Sequence, residues 1–207
     1  MLIVDLDGPI LDVARRYFAA HLRAAATICG ESACRDFDTF WAAKRVSASP
    51  RQLLLSGDAN EYAIQFKQIV EADDLMELDR LQTGALKALA RLGATYQTVV
   101  LSQRCNQVGA RATVIRLGIT AVAPVHFVAH GPEGKVPRAR DLAVGRNVVG
   151  VIGDTEADAT VAIALKTPFY GVTCGIRDEA RLRREGATAV FDSLAEAAAH
   201  LAAPRMP

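Results

Sequence analysis

Apolar residues follow two different rhythms along this chain. Met1 to Leu6 is a short apolar run broken at Asp5, which predicts a buried strand. From Asp12 to about Arg91 apolar residues recur at helical spacing: Val13, Tyr17, Ala20 and Ala24, then Phe37, Phe40 and Trp41, then Tyr62, Ile64, Phe66, Ile69 and Val70. Polar breaks at Gly30-Glu31-Ser32, Ser49-Pro50 and Ser56-Gly57-Asp58 divide this stretch into several helices, and no strand is expected in it. Beyond it strands and helices alternate. Strands are expected at Thr98 to Leu101, Val125 to Val128, Asn147 to Ile152, Phe169 to Thr173 and Ala189 to Phe191. The helices between them run to about Leu117, from Val136 to Val144, to Leu165, from Asp178 to Arg184 and from Ser193 to Leu201. Pro204 and Pro207 predict a frayed tail.

Strands that are apolar throughout and joined by helices imply a parallel sheet covered on both faces. The expected fold class is therefore α/β: a doubly wound, Rossmann-like, three-layer αβα core with an all-helical insertion after the first strand. The core is expected over residues 1–11 and 92–207 and the insertion over 12–91. The chain's 207 residues suffice for one such domain and a small appended unit. A formal net charge of +1 gives no electrostatic reason to expect a nucleic-acid or membrane partner. No apolar run approaches a membrane span, and Leu2-Ile3-Val4 is too short for a secretory signal. The four cysteines lack C-x-x-C spacing and read as reduced thiols, so a cytoplasmic protein is expected.

Open parallel sheets bind ligands at the carboxyl ends of their strands. Four strand ends here carry unusual polar residues. In Val4-Asp5-Leu6-Asp7-Gly8 the two aspartates share a face of an extended chain, about 6–7 Å apart. A divalent cation would relieve their repulsion, although a pair of acids can equally cap a turn. Gly8 permits a sharp turn there and a close approach of backbone N–H groups to an anion. Ser102 ends the second strand, as a phosphate donor or a helix N-cap. Lys135 opens a helix, where the dipole disfavours it. Asp154 and Asp158, in Gly153-Asp154-Thr155-Glu156-Ala157-Asp158, can reach one space above the sheet. Each signal has a bland alternative. Together they match phosphoryl transfer, which needs a nucleophile, a proton donor, a metal site and cationic stabilisation of phosphoryl oxygens.

On these residues the chain resembles the haloacid dehalogenase (HAD) superfamily, in its phosphoglycolate phosphatase-like and β-phosphoglucomutase-like subgroup, over nearly its whole length. The motifs are Asp5-Leu6-Asp7-Gly8-Pro9-Ile10-Leu11-Asp12, Val99-Val100-Leu101-Ser102, Lys135, and Gly153-Asp154 through Asp158. The helical insertion resembles the family's small cap. The resemblance implies a Mg²⁺-dependent phosphatase acting on a small phosphorylated metabolite, as a monomer or homodimer. Asp5 would attack phosphorus and become an aspartyl phosphate, and Asp7 would act as general acid and base. Mg²⁺ would be held by Asp5, the Asp7 backbone carbonyl and Asp154. Asp158 would help directly, through water, or by pairing with Lys135. Ser102 and Lys135 would bind phosphoryl oxygens. Pro9 and Gln103 depart from the family's usual threonine and asparagine, and Pro9 removes a hydroxyl and a backbone N–H, so a phosphate or turn contact is expected to differ.

Asp7 argues against a dehalogenase, which lacks an acid at that position. A phosphonatase would need a cap lysine able to form a Schiff base, for which Lys44 and Lys67 are the candidates. A phosphomutase would keep the same core and shield the phosphorylated aspartate from water. A non-catalytic phosphate-binding protein on the same fold would be expected to lose some of Asp5, Asp7, Lys135 and Asp154. In the cap, Trp41, Lys44, Arg45 and Arg51 are candidates to meet the substrate, with the arginines on a second anionic group. Gln103 and Arg104, directly after Ser102, are expected at the mouth of the site.

Overall fold

A computed structural model describes residues 1–29, 35–54 and 56–203, with the side chains of residues 29, 50 and 51 excluded. The expected break at Gly30-Glu31-Ser32 and the expected tail at Pro204 and Pro207 lie outside the described residues. The chain runs β1 (Leu2–Val4), β2 (Leu11–Asp12), α1 (Ala14–Cys29), α2 (Phe37–Arg45), α3 (Pro50–Leu53), α4 (Ala59–Ile69), α5 (Asp73–Met76), β3 (Arg80–Leu81) and α6 (Ala85–Thr95). It continues through β4 (Thr98–Gln103), α7 (Gln107–Arg116), β5 (Val125–Val128), α8 (Val136–Ala143), β6 (Gly150–Gly153), α9 (Glu156–Leu165), β7 (Phe169–Val172), α10 (Glu179–Arg184), β8 (Ala189–Phe191) and α11 (Leu194–Leu201).

Six strands form one parallel sheet in the order β5-β4-β1-β6-β7-β8. Alternation along the strands splits the core in two. Leu2, Val4, Val100 and Ile152 face α6, α7 and α11. Met1, Ile3, Val99, Leu101 and Val151 face the other way, toward α8, α9 and α10. Apolar residues on both faces explain why these strands read as continuous runs. Right-handed crossovers, the rule for such units, give the expected doubly wound, three-layer architecture.

β1 lies in the middle, hydrogen-bonded to β4 on one side and β6 on the other. The chain leaves β1 for β4 and β5, then returns to β6 on β1's far side, so strand order reverses at β1. A crevice opens above that reversal. Register puts Val4 beside Val100 and Ile152, and the amide of Asp5 donates to the Ile152 carbonyl at 2.9 Å. Asp5 is thus the first residue past the central strand.

The helical segment packs around its own small core of Ala24, Ala25, Phe40, Leu53, Leu54 and Tyr62. Two features differ from expectation. A two-stranded antiparallel ribbon joins the ends of the segment, pairing Leu11 with Leu81 and Asp12 with Arg80. Strands of two residues are too short to leave a periodic signature. In addition, α6 packs Ala85, Ala88, Leu89 and Leu92 on the sheet, so the expected boundary at residue 91 falls inside a helix of the sheet's outer layer.

Candidate active site

Asp5, Lys135, Asp154 and Asp158 converge above the sheet from the ends of β1 and β6 and the starts of α8 and α9, and all four are buried. Lys135 Nζ bridges Asp5 Oδ1 and Asp158 Oδ1, 2.7 Å from each. Burial works against its charge, but the two carboxylates outweigh burial and raise its pKa, so it stays an ammonium. Asp5 Oδ1 also accepts the Leu6 amide at 2.7 Å. Among the described residues, no protein donor reaches Asp5 Oδ2.

Asp158 is the best satisfied of the acids. Its Oδ2 accepts from the Asp154 and Thr155 amides and the Thr155 hydroxyl, at 3.2, 3.1 and 2.8 Å. With Thr155 it closes a capping box at the start of α9. Of the roles expected for Asp158, pairing with Lys135 is the one these contacts display.

Asp154 is the opposite case. Its Oδ2 accepts the Ile176 amide at 2.5 Å, while Oδ1 is buried with no hydrogen-bond partner. Two glycines press against it: a Cβ at Gly8 would come within 2.2 Å of Asp154 Oδ2, and one at Gly175 within 2.1 Å. Gly8 also has φ of +95°, so no other residue fits there without strain. Its amide donates to the Leu11 carbonyl, which leaves it for the turn rather than for an anion.

Burial, with Asp5 and Asp158 adding to it, raises the Asp154 pKa well above the usual carboxylate range. Burial likewise pushes Asp5 up to about 7, with Asp158 and Asp7 raising it and Lys135 pulling it down. Carboxylate oxygens of Asp5, Asp154 and Asp158 lie within 4.8 Å of one another. Three buried carboxylates against one ammonium leave an excess of negative charge, and Asp154 carries a buried oxygen with no donor. An all-oxygen set of that kind fits a hard divalent cation.

Asp7 turns the other way. Its Oδ2 accepts from Arg16 Nη2 at 2.8 Å, and its Oδ1 pairs with Arg104 Nη2. Arg16 Nε lies 2.9 Å from Asp79 Oδ1, and both arginines and Asp79 are buried. Burial would raise the Asp7 pKa, but Arg104 and Arg16 outweigh it and hold the carboxyl below its ordinary value. Its side chain stands outside the cluster of three carboxylates.

Arg16 and Asp79 carry no motif, and the sequence expectations missed them. The available signal was position: Arg16 stands one turn before Ala20 and two before Ala24, on the buried stripe of α1. Arg104, expected at the mouth of the site, reaches Asp7 as well as lining the cavity described below. Ser102 is buried at the end of β4, in register with Phe127. Gln103 lines the same cavity.

A cavity of about 490 Å³ opens between the helical segment and the sheet, lined by Asp7, Arg104 and Gln103 on one side and Tyr17, Lys44 and Phe66 on the other. Arg45 is not brought to it. Its Nη1 donates to the carbonyls of Thr173 and Gly175 at 3.0 and 3.3 Å. Beside it, Arg177 Nη1 donates to the Lys44 carbonyl at 2.5 Å. These bonds dock the C-terminus of α2 on the loop after β7. Arg45 therefore ties the cap to the core, where the sequence placed it on substrate. Arg51 lies in α3, and its side chain is outside the described residues. No helix among the described residues is long and apolar enough to cross a membrane.

No protein-family model and no curated protein sequence matches the chain. Solved structures do. A haloacid dehalogenase-like hydrolase from Streptococcus pneumoniae aligns with TM-score 0.73 at 17% identity, over 97% of each chain. A predicted phosphatase from Clostridium acetobutylicum aligns with TM-score 0.71 at 17% identity, over 97% of this chain and 96% of its own. A predicted phosphoglycolate phosphatase from Haemophilus somnus aligns with TM-score 0.67 at 15% identity, over 95% of each. The chain has the fold of haloacid dehalogenase-like hydrolases, over 95–97% of its length.

Proposed function

We propose that this protein is a Mg²⁺-dependent phosphatase that hydrolyses a small phosphorylated metabolite through an aspartyl phosphate on Asp5. The observation that carries the reading is the environment of Asp5. It stands at the reversal of strand order, with Oδ1 fixed by Lys135 and the Leu6 amide and, among the described residues, no donor on Oδ2. A carboxylate held by one oxygen presents the other for attack.

Asp5 and Asp154, with Asp158 beside them, would hold the cation. When bound it neutralises the carboxylates and the phosphoryl oxygens. Lys135 works against burial to favour the ionised form of Asp5 and reaches toward the same oxygens, and Ser102 supplies a hydroxyl at the neighbouring strand end. In the first half, Asp5 forms a bond to phosphorus and the bond to the leaving oxygen breaks, its electron pair staying on that oxygen. In the second half, water attacks phosphorus and the Asp5–phosphorus link breaks, releasing phosphate and the free carboxylate. Asp7 takes the proton from that water. The two guanidinium groups on Asp7 favour its carboxylate form, which suits this step. They oppose its service as a proton donor in the first half, a role that leaving groups departing as weak bases do not need.

The test is Mg²⁺-dependent release of phosphate from p-nitrophenyl phosphate and from a panel of phosphorylated metabolites. Asp5→Asn is expected to abolish it with the fold intact. Full turnover in that variant would remove the covalent mechanism. Turnover that needs a sugar bisphosphate would move the reading to a phosphomutase.

A further inference from the structure

The cavity beyond Asp7 has a composition of its own. On the cap side its wall is Tyr17, Leu53, Tyr62 and Phe66. Phe66 packs edge-on to Tyr17 at 5.8 Å between centroids and lies 5.9 Å from Tyr62, so the three rings form one continuous surface. A volume of about 490 Å³ is at the small end of ligand sites, enough for one ring and a substituent. A polyhydroxylated substrate would set its hydroxyls against apolar wall, and burying an unpaired hydroxyl is costly. A two-carbon tail would leave most of the wall wet.

Away from bulk water, charge in the cavity is unbalanced at one point; Lys67 also lines it but is exposed to solvent. Arg16 and Arg104 also line it, but Asp7 and Asp79 answer them. Glu71, on the rim, lies 3.5 Å from His130 and accepts the Asn106 amide. Lys44 has no such answer. Its Nζ lies over the Tyr17 and Phe66 rings, 5.3 and 5.1 Å from their centroids, and no carboxylate among the described residues pairs with it. Ring faces compensate an ammonium only in part. Burial and the nearby Arg177 draw Lys44 down to about 8 despite Glu156, so its charge is under-compensated. A cation half-buried at the end of an aromatic wall, facing a cavity, is matched by an anion on an aromatic body.

We propose that the leaving group of the substrate is an aromatic ring bearing a carboxylate, seated among Tyr17, Tyr62 and Phe66 with the carboxylate on Lys44. This rests on the phosphatase reading for the position of the phosphoryl group, and the wall and Lys44 supply the rest. Lys44 is thereby a specificity-determining residue, where the sequence had offered it as one cap cation among several and as a candidate Schiff-base lysine.

Binding tests this apart from turnover. Titration calorimetry on the Asp5→Asn protein would compare 4-carboxyphenyl phosphate, phenyl phosphate and phosphoglycolate. The carboxylated ring is expected to bind about 10- to 100-fold more tightly than either of the others, the range of one charge-assisted contact. Adding Lys44→Met should erase its advantage over phenyl phosphate, and Lys44→Arg should keep most of it. Circular dichroism would show each variant folded. Equal binding of the two aryl phosphates, tighter binding of phosphoglycolate, no binding of any, or an advantage that survives Lys44→Met would each overturn the proposal. Wild-type turnover separates the two claims. Hydrolysis with no preference for the carboxylated ring sinks the substrate class and leaves the phosphatase. A binding preference in a protein that hydrolyses no phosphate ester sinks the phosphatase and leaves the cavity's ligand.

Discussion

Asp5 and Asp7 are two residues apart and live in opposite electrostatic worlds. Around Asp5 three buried carboxylates share one ammonium, Lys135. Around Asp7 two buried guanidinium groups meet two carboxylates, Asp7 and Asp79. The second cluster is neutral as it stands, while the first is short of positive charge. Alternation along an extended segment would put both side chains on one face. The turn at Gly8 and the entry of α1 instead give each its own partners. The first cluster fits a cation and the second has no need of one, so the partners of Asp7 position it without competing for the ion.

Neutralising a carboxylate should therefore have opposite consequences to removing a guanidinium. Asp154→Asn removes the acid with the orphaned oxygen. Turnover should fall on the order of 10³-fold, as expected when charge stabilisation at the reacting centre is lost. Thermal stability without added Mg²⁺ should rise, because the burial cost and the repulsion from Asp5 and Asp158 that raise the Asp154 pKa are gone. Calorimetric melts with and without Mg²⁺ check both parts, and a destabilised cation-free variant would contradict the charge count.

Arg16→Met should do the reverse. It leaves Asp79 buried with no close guanidinium partner among the described residues, Arg104 Nη2 lying 4.0 Å away. Breaking a buried pair from one side costs about 3–5 kcal/mol, and urea unfolding would read it. An unchanged midpoint would mean that the second cluster is not held by this pair.

A smaller effect lies away from both clusters. His21 is buried in the cap, stacked on Phe40 with centroids 4.5 Å apart and 3.0 Å from the Tyr62 hydroxyl. Burial, aided by the charges of Arg35 and Lys44, lowers its pKa to about 4. The unfolded chain then binds more protons than the folded one between about pH 4 and 6.5, so stability falls as pH drops through that window. The loss is on the order of 2–3 kcal/mol and should vanish in His21→Phe, as measured by denaturant melts at pH 7 and 5. A window that persists in His21→Phe would assign acid sensitivity to the carboxylate clusters instead.

The sheet was legible in the sequence because strands buried on both faces leave unbroken apolar runs. The β2–β3 ribbon was not, since two residues carry no period. At the site, Asp5, Lys135, Asp154 and Asp158 could be expected together because each follows a strand or opens a helix at the same edge. Arg16 and Asp79 could not, as neither stands at a strand end and they meet only in the folded chain. Arg45 shows the limit of reading charge alone: a cap arginine has the same letter whether it meets a ligand or, as here, two backbone carbonyls.

The central claim is a covalent intermediate on Asp5. The most direct measurement is rapid acid quench of the wild-type protein during turnover of ³²P-labelled aryl phosphate with Mg²⁺, followed by peptide mapping. The account predicts an acid-stable, hydroxylamine-labile label on the peptide containing Asp5, absent in Asp5→Asn. Phosphate release with no protein-bound label, or a label on any other residue, would contradict it.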